Sequence, residues 1–498
     1  MNGTAEKFLA VSSICGALAC VVLMMIRIES AASLSVPLQL ITSGWEQQPL
    51  FDIWRVLAGE RLYTDTTEIP FVIAFYNWLF YATYALYAEA VMTALVLDEA
   101  WLPTVLRSFT LIGLFAGTTI AYLIFVRMTN PRGMTEKVSS FGCAVLLFFG
   151  PLVGFWGFTV RPDVWAMVCE ILAVLLFWSL RSSRPVAGIV LAAACLFAAW
   201  SLKQSNIVTT VVIGLYLLRS QPRWHVVLYS ALLIAGYALT FAIGGEIYIR
   251  SLIHTSEVSW NPGDVPRIAI NFAVKSVPTL LAVLTMAIVV LRDSNFRRTL
   301  LRDPASRFAL LGLAVTIVLT VPGTAKAGAA ENYYFPVSFF LALTALLGLH
   351  ALRSAGGRYA SIVPWAASLG WGAIIVAIAM VMFGGQGVRS VAFQHPQFTA
   401  RAACLADLPK PVLTDDQYLS LPWMNPSRPS FILNYNYPLQ RAAGIDFEAG
   451  GIAGLIGRGY FASLALSHAE AKHDGAALSG YDRRPAPCAG LTIWLRKG

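Results

Sequence analysis

The sequence predicts an α-helical polytopic membrane protein with a small α/β domain at its C-terminal end, and two observations support that fold class. The 498 residues are 57% hydrophobic and only 13% charged, whereas a soluble globular protein carries about 25% charged residues. Apolar stretches of about 20 residues, long enough to span the hydrocarbon core of a bilayer, also recur along the chain. This composition excludes a disordered, fibrous or ordinary soluble protein.

About eleven apolar stretches are predicted to be transmembrane helices. They cover residues 8–26, 107–126, 138–158, 164–180, 186–201, 205–218, 226–244, 276–291, 308–322, 334–352 and 361–383. The first stretch lacks a small-residue cleavage site, so we predict an uncleaved span rather than a signal peptide. Residues 1–383 are therefore predicted to form a transmembrane module.

The stretch 70–97 is ambiguous, because it is apolar enough to span but contains Asn77, Glu89 and several tyrosines. Lys and Arg collect in the short cytoplasmic loops of membrane proteins. If 70–97 does not cross and the N-terminus is cytoplasmic, fifteen Lys and Arg fall in predicted cytoplasmic loops and ten in the longer outer loops. A full crossing would invert every later loop, so we predict that 70–97 is re-entrant or lies on the membrane surface.

This threading places a long first loop, residues 27–106, and a polar tail, residues 384–498, outside the cytoplasm. Turn-forming clusters separate short apolar runs in the tail, which predicts a small α/β domain. Cys404 and Cys488 lie there, where an oxidising compartment permits a disulfide. The seven cysteines show no metal-ligand spacing, and the net charge of +9 follows from topology rather than from a nucleic-acid-binding surface.

Ionisable and amide residues at the outer ends of the predicted spans give the main functional signal, because charged groups near the bilayer core are costly. They come from distant parts of the chain but share one predicted membrane boundary, which predicts a single outward-facing site. Its candidate members are Glu46, Asp52, Arg161, Asp163, Lys203, Gln204, Lys326, Glu331 and Asn332.

A purely structural interpretation is open for each of these residues. Judged by its position only, Glu46 is expected to be a solvated acid in a loop. Pro162-Asp163 is a favourable helix start, an interpretation that leaves Arg161 unexplained. Lys203 is suited to snorkel from a helix end, and Glu331-Asn332 to cap the following span.

The first loop resembles that of GT-C fold glycosyltransferases, polytopic enzymes that use polyprenyl-phosphate sugars and include the protein-mannosyltransferase-like and aminoarabinose-transferase-like families. The resemblance is carried by Gly44-Trp45-Glu46-Gln47-Gln48-Pro49 and by Ala58-Gly59-Glu60-Arg61-Leu62-Tyr63-Thr64-Asp65. Such loops typically read as an acidic pair, a short helix and a small-Gly-x-x-x-Tyr-x-Asp turn. Glu46 takes the place of the second acid, whereas Trp45 replaces the first. Glu46 and Asp52 therefore both stay open as the acid/base residue.

Three later segments are similar to motifs of bacterial members: Arg161-Pro162-Asp163, Trp200-Ser201-Leu202-Lys203-Gln204-Ser205 and Gly328-Ala329-Ala330-Glu331-Asn332-Tyr333-Tyr334. The resemblance implies an inverting hexosyl- or pentosyltransferase of the bacterial inner membrane. A polyprenyl-phosphate sugar would be its donor and an extracytoplasmic glycan, lipid or protein its acceptor. Stretch 70–97 would then form an apolar groove for the prenyl chain.

The same resemblance suggests roles for the candidate residues. Glu46, or alternatively Asp52, would be the base that takes the acceptor's proton. Cationic side chains would stabilise the departing phosphate, and a second set of residues would bind the substrate. Phosphate binding is assigned to Arg161, Lys203 and Gln204, and substrate binding to Asp163, Glu331, Asn332 and Tyr333. Relatives differ in metal dependence, and the lack of a dense carboxylate cluster disfavours a divalent metal cofactor here.

Three rival functions stay open on the sequence. A transporter or flippase of a lipid-linked glycan commonly shows repeated halves and charges near the midplane, whereas no internal repeat is visible here. A lipid-glycan polymerase or ligase is expected to carry its large outer loop late in the chain. A structural assembly protein requires the outward-facing charges to be dispensable.

Overall fold

The computed structural model describes residues 3–32, 46–131, 133–255, 259–326, 328–355, 359, 361–383, 395–416, 419–432, 436–485 and 488–498. Helices account for most of the first 383 residues. They are α1 Gly3–Ala32, α2 Gln47–Leu57, α3 Trp78–Leu95, α4 Leu102–Thr129, α5 Met134–Phe149, α6 Asp163–Leu180, α7 Pro185–Leu202, α8 Val208–Ser220, α9 Arg223–His254, α10 Asp264–Lys275, α11 Val277–Arg292, α12 Ser294–Arg302, α13 Pro304–Gly323, α14 Phe335–Ala355 and α15 Ile362–Phe383.

Eight of these helices are long and apolar enough to cross a membrane: α1, α4, α6, α7, α9, α13, α14 and α15. Helices α10 and α11 are long and apolar enough only in combination, and they are bent by 93° at their junction. Counted as one broken span, they make a ninth. Helix α8 is apolar but has only 13 residues. Each predicted span overlaps a helix, although 138–158 combines α5 with a turn and the 3₁₀ helix Gly154–Phe158. The chain is a multi-pass membrane protein, but the count of eleven crossings is not confirmed.

The helices form one bundle with two distinct ends. At the end that we call the domain-side end, Lys203 follows α7 and pairs with Asp163, the first residue of α6. At the opposite end, the far end, Arg353 of α14 pairs with Glu6 of α1 and with Glu136 of α5, the latter at 2.7 Å. These pairs fix the directions of the helices, so the loops between them sort to one end or the other.

Helix α3 differs from its neighbours because both of its ends lie at the domain-side end. Asn77, which precedes it, donates to the carbonyl of Trp200 near the end of α7 at 2.6 Å. Leu97, just beyond it, packs in the same apolar cluster as Leu102, where α4 begins. The helix is also not among those that are long and apolar enough to cross a membrane. We therefore keep the prediction that 70–97 does not cross.

The C-terminal region is a small mixed α/β unit. It contains the short helices α16 His395–Ala406, α17 Asn436–Ala442 and α18 Gly451–Gly457, and the strands β1 Val412–Thr414, β2 Ser463–Leu466, β3 Lys472–His473, β4 Ala476–Ala477, β5 Tyr481–Arg483 and β6 Thr492–Arg496. Four strands form a sheet in the order β1-β2-β6-β5, and β3 and β4 form a separate hairpin. A disulfide joins Cys404 of α16 to Cys488 before β6.

This C-terminal unit packs against the first loop. Phe71 lies in its apolar core, with its ring centroid 5.4 Å from that of Phe447 and 5.9 Å from that of Tyr437. Nearby, the backbone amide of Ile69 donates to the carboxylate of Glu448 at 2.8 Å. The first loop is therefore held between the helical bundle and the C-terminal unit.

Candidate functional site

A cavity of about 110 Å³ opens at the domain-side end of the bundle. Three cationic side chains line it, together with aromatic, hydroxyl and amide groups. The lining residues come from five separate segments of the chain. Its lining residues are Phe75, Tyr76, Arg161, Lys203, Gln204, Ser205, Thr255, Lys326, Gly328, Asn332 and Tyr333. Five of the residues singled out as site candidates with a role, Arg161, Lys203, Gln204, Asn332 and Tyr333, thus meet in one cavity.

Asp163 organises the polar side of this cavity without lining it. It is the first residue of α6, where the helix dipole favours an acid, and it is buried. Its carboxylate accepts hydrogen bonds from Lys203 Nζ at 2.6 Å, Arg161 Nε at 3.1 Å and Asn332 Nδ2 at 2.6 Å. Three distant segments of the sequence are thereby fixed around one carboxylate.

Positive side chains are concentrated at the cavity. Arg161, Lys203 and Lys326 all line it, and Asp163 pairs with the first two of them. Burial, together with the charge of Lys203, lowers the pKa of Lys326. An anion bound in the cavity would remove this electrostatic penalty, so the arrangement suits a multiply charged anion such as phosphate.

Lys326 was placed among the outer charges by the sequence but given no role. Its ammonium donates to the carbonyl of Thr255, the residue after α9, at 3.1 Å. This contact holds the segment before Gly328 against the end of α9. The available signal was a single lysine within a run of small residues between two apolar stretches.

The amide side chains of Gln204 and Asn332 present oxygen atoms at the cavity. Gln204 Nε2 donates to the carbonyl of Phe75 at 2.8 Å, and Asn332 Nδ2 donates to Asp163. These bonds define which end of each amide is the oxygen. Both oxygens are buried, and none of the described residues donates a hydrogen bond to them, which leaves two acceptors for ligand hydroxyl groups.

Two further candidates have different surroundings. Tyr333 lines the cavity, and its ring centroid lies 5.3 Å from Lys203 Nζ, within cation–π distance. Glu331 does not line the cavity, because its carboxylate pairs with Lys275 at the end of α10 at 2.9 Å. In this arrangement Glu331 anchors α10 to the start of α14 rather than facing a ligand.

Glu46 is fully buried, which rules out the interpretation as a solvated loop acid. Its carboxylate accepts two hydrogen bonds from the guanidinium of Arg107, at 3.0 and 2.9 Å, and one from the backbone amide of Val160 at 3.0 Å. Arg107 also donates to the carbonyl of Ala31 at 2.9 Å. The sequence counted Arg107 only toward topology. Gly44 and Trp45 lie outside the described residues.

Asp52, on α2, has a different environment although it is equally buried. Gln48 Nε2 donates to its Oδ1 at 3.0 Å, and Arg55 Nη1 lies 3.8 Å from the same atom. No hydrogen bond of normal geometry from the described residues reaches Oδ2, although the hydroxyl of Tyr81 is near enough to influence the carboxyl group. Burial outweighs these partners and raises the pKa of Asp52 to about 7.

A layer of tyrosines separates Asp52 from the cavity. The hydroxyl of Tyr63 donates to the carbonyl of Tyr76 at 3.0 Å, and the amide of Tyr76 donates to the hydroxyl of Tyr81 at 3.1 Å. Burial raises the pKa of Tyr63 and of Tyr81, and the charge of Asp52 raises both further. Tyr76 lines the cavity. Asp52 therefore lies behind the wall that Tyr76 forms.

Two kinds of solved structure share this fold over nearly the whole chain. ArnT from Cupriavidus metallidurans, bound to undecaprenyl phosphate, superposes with a TM-score of 0.58 at 11% identity, covering 96% of this chain and 97% of ArnT. Its apo form gives a TM-score of 0.57 at the same identity and coverage.

The second is the archaeal oligosaccharyltransferase AglB from Archaeoglobus fulgidus, in complex with an inhibitory peptide and a dolichol-phosphate. It gives a TM-score of 0.53 at 9% identity, covering 93% of this chain and 69% of AglB. No protein-family model and no curated protein matches the sequence. Identities this low define a fold rather than an activity. The chain adopts the GT-C fold.

Proposed function

We propose that the protein is a glycosyltransferase that moves a sugar from a polyprenyl-phosphate donor to an acceptor, with the donor phosphate bound in the cavity at the domain-side end. The observation that carries the proposal is the convergence of Arg161, Lys203 and Lys326 on that cavity. A polyprenyl phosphate joins an anionic head to an apolar tail, and this cavity lies at the end of an apolar bundle. ArnT bound to undecaprenyl phosphate and AglB bound to a dolichol-phosphate share the fold.

The cavity residues divide the work of binding and stabilisation. When the sugar leaves, negative charge develops on the departing phosphate, and fixed cations stabilise it. Arg161 can bind two phosphate oxygens at once, whereas the lysines act as point charges. Gln204 Oε1 and Asn332 Oδ1 would accept hydrogen bonds from sugar hydroxyls, and Asp163 is a positioning residue.

Of the two candidate bases, we favour Asp52 over Glu46. A general base needs an available lone pair and a pKa near the working pH. The carboxylate of Glu46 already accepts three hydrogen bonds, whereas Oδ2 of Asp52 accepts none of normal geometry from the described residues and its carboxyl pKa is about 7. The role requires Tyr76 to move when the acceptor binds. Attack opposite the leaving phosphate would invert the anomeric carbon.

We further propose that the domain-side end faces away from the cytoplasm, in the inner membrane of a bacterial cell. Two observations support this orientation. The far end carries the loops rich in arginine, such as the one between α6 and α7 with Arg181 and Arg184. The C-terminal unit carries the disulfide between Cys404 and Cys488, a bond that persists in oxidising compartments.

The test of the proposed site uses Lys326→Gln. The one hydrogen bond described for the Lys326 ammonium goes to a backbone carbonyl, so its removal leaves no buried carboxylate without a cation. A charge-assisted hydrogen bond contributes about 1.5–3 kcal/mol, so the variant should bind undecaprenyl phosphate about tenfold to a hundredfold more weakly. Isothermal titration calorimetry on the purified protein in detergent measures this affinity.

Lys497→Gln provides the matched control, because Lys497 is half exposed on the C-terminal unit and pairs with Asp482. That variant should bind the lipid as the wild type does. Equal affinity of Lys326→Gln and wild type would remove the phosphate-binding role of the cavity. Binding without transfer of any sugar by the wild type would instead favour the transporter that the sequence left open.

A further inference from the structure

Three potential metal ligands meet at one edge of the C-terminal sheet. Strands β1 and β2 are parallel neighbours, with Thr414 opposite Ala465, so both chains leave the sheet at the same edge. Asp415 follows β1 directly, and His468 lies two residues beyond β2. The β3–β4 hairpin returns His473 to this edge, and the ligand atoms of Asp415, His468 and His473 all lie within 4.8 Å of one another.

The distance between His468 and Asp415 fits a shared ion better than a direct hydrogen bond. His468 Nδ1 lies 3.5 Å from Asp415 Oδ2, which exceeds the usual N–H···O distance. Ligands bound tetrahedrally to zinc at their normal distances are about 3.4 Å apart. His473 Nε2 is buried, and no described residue gives it a hydrogen-bond partner.

Hydrogen bonds hold the Asp415 side chain in place, and a tight turn fixes the backbone at His473. Ser467 donates to the carboxylate of Asp415 twice, from its amide at 2.8 Å and from its hydroxyl at 2.7 Å. His473 is held by a two-residue hairpin turn, in which Asp474 and Gly475 both have positive φ, 51° and 82°. Hydrogen bonds such as those from Ser467 orient ligands in established metal sites.

We propose that Asp415, His468 and His473 bind a divalent transition-metal ion, with Zn²⁺ the ion that fits best and water completing the coordination. Two imidazoles and one carboxylate suit Zn²⁺ or Co²⁺, whereas Ca²⁺ and Mg²⁺ prefer oxygen ligands alone. The ion joins the ends of β1 and β2 to the β3–β4 hairpin and so stabilises the C-terminal unit. This site does not depend on the proposed sugar transfer.

The test is a metal titration of the full-length protein, purified in detergent with a histidine-free affinity tag and treated with a chelator. Added Co²⁺ should bind with one equivalent per chain and give the visible absorption bands of a tetrahedral site. His468→Ala and His473→Ala should each weaken Co²⁺ binding by about tenfold or more. His350→Gln, which changes a histidine at the far end near Glu136, should retain wild-type binding.

Thermal unfolding supplies a second measurement, because an ion that binds only the folded state raises the melting temperature. Zn²⁺ should raise it for the wild type and for His350→Gln but not for His468→Ala. The side chain of His468 is 43% exposed, so this variant decides the matter even if His473→Ala fails to fold. Wild-type Co²⁺ affinity in His468→Ala, or no Co²⁺ bands in the wild type, would overturn the proposal.

Discussion

Two acids of the first loop, six positions apart in sequence, occupy opposite environments. The carboxylate of Glu46 pairs with the guanidinium of Arg107 and accepts a further hydrogen bond from a backbone amide. Asp52 is buried with weaker compensation, and its pKa is raised to about 7. A carboxylate that is fully hydrogen-bonded is suited to a structural role, whereas one with an available oxygen can accept a proton. We therefore propose a structural role for Glu46 and proton transfer for Asp52.

The first prediction concerns the pH dependence of Asp52. The base is the ionised form, so kcat/KM for sugar transfer should rise with pH and level off above about 7, while Asp52→Asn should be inactive throughout. A pH–rate profile with a polyprenyl-phosphate sugar measures this. A profile that stays flat from about pH 5.5 to 8.5, or an active Asp52→Asn variant, would exclude Asp52 as the base.

Stability should change with pH in the opposite sense to activity. The folded-state pKa of about 7 exceeds that of an unfolded aspartate, so the folded protein binds more protons and loses stability as pH rises from about 4 through 7. Asp52→Asn should thus melt higher than the wild type at about pH 8 and equally at low pH. Asp65 is the control, because hydrogen bonds from Thr67 lower its pKa and Asp65→Asn should lose stability at neutral pH.

The third residue-scale prediction concerns Glu46. Glu46→Gln leaves the charge of buried Arg107 without its carboxylate, and breaking such a pair costs about 3–5 kcal/mol. The variant should therefore melt well below the wild type in thermal unfolding, and Glu46→Gln combined with Arg107→Met should recover part of the loss. A single variant that keeps the wild-type melting temperature but transfers no sugar would give the base role to Glu46 instead.

At the scale of elements, the spans could be predicted because an apolar stretch is a local property of the sequence. The partners that build the site could not, because they are distant in the chain. Glu46 meets Arg107 across 61 positions, and Asp163 meets Asn332 across 169. The sequence gathered Asp163, Lys203 and Asn332 only through a shared membrane boundary and a family resemblance. Neither signal distinguished Glu331, which pairs with Lys275, from its cavity-lining neighbour Asn332.

The same limit explains what was missed. Lys326 and Arg107 have different contacts in the structure but look alike in sequence, since each is a lone cation near the end of an apolar stretch. Only their contacts distinguish them, because Lys326 lines the cavity whereas Arg107 pairs with Glu46. The ligand cluster of Asp415, His468 and His473 was also invisible, because parallel pairing of β1 and β2 brings it together.

The element-scale prediction concerns the disulfide that ties α16 to the start of β6. Cys404 and Cys488 are separated by 84 positions, and a cross-link of that loop length stabilises by about 4.5 kcal/mol in the chain-entropy account. Cys404→Ala combined with Cys488→Ala should lower the melting temperature, and a reductant should lower that of the wild type but not of the double variant. The exposed free cysteine gives the control, Cys15→Ala. Equal melting of oxidised and reduced wild type would contradict the cross-link.

At the scale of the whole molecule, the proposed sugar transfer outside the cytoplasm depends on which way the bundle lies in the membrane. The cation-lined cavity, the first loop and the C-terminal unit share the domain-side end, while the loop with Arg181 and Arg184 lies at the far end. Ser183, in that loop, and Gly263, before α10, are both exposed. They mark the two ends with single small residues.

Cysteine labelling at these two positions tests the orientation. Ser183→Cys should react with a membrane-impermeant maleimide only after the cytoplasmic face is opened, because arginine-rich loops stay in the cytoplasm. Gly263→Cys should react in intact cells, and so should Gly480→Cys on the C-terminal unit, where Gly480 is exposed. The parent chain, with its own free cysteines, sets the background. Labelling of Ser183→Cys and Gly263→Cys from the same side would break the threading, and labelling of Ser183→Cys alone in intact cells would invert it and place the cavity in the cytoplasm.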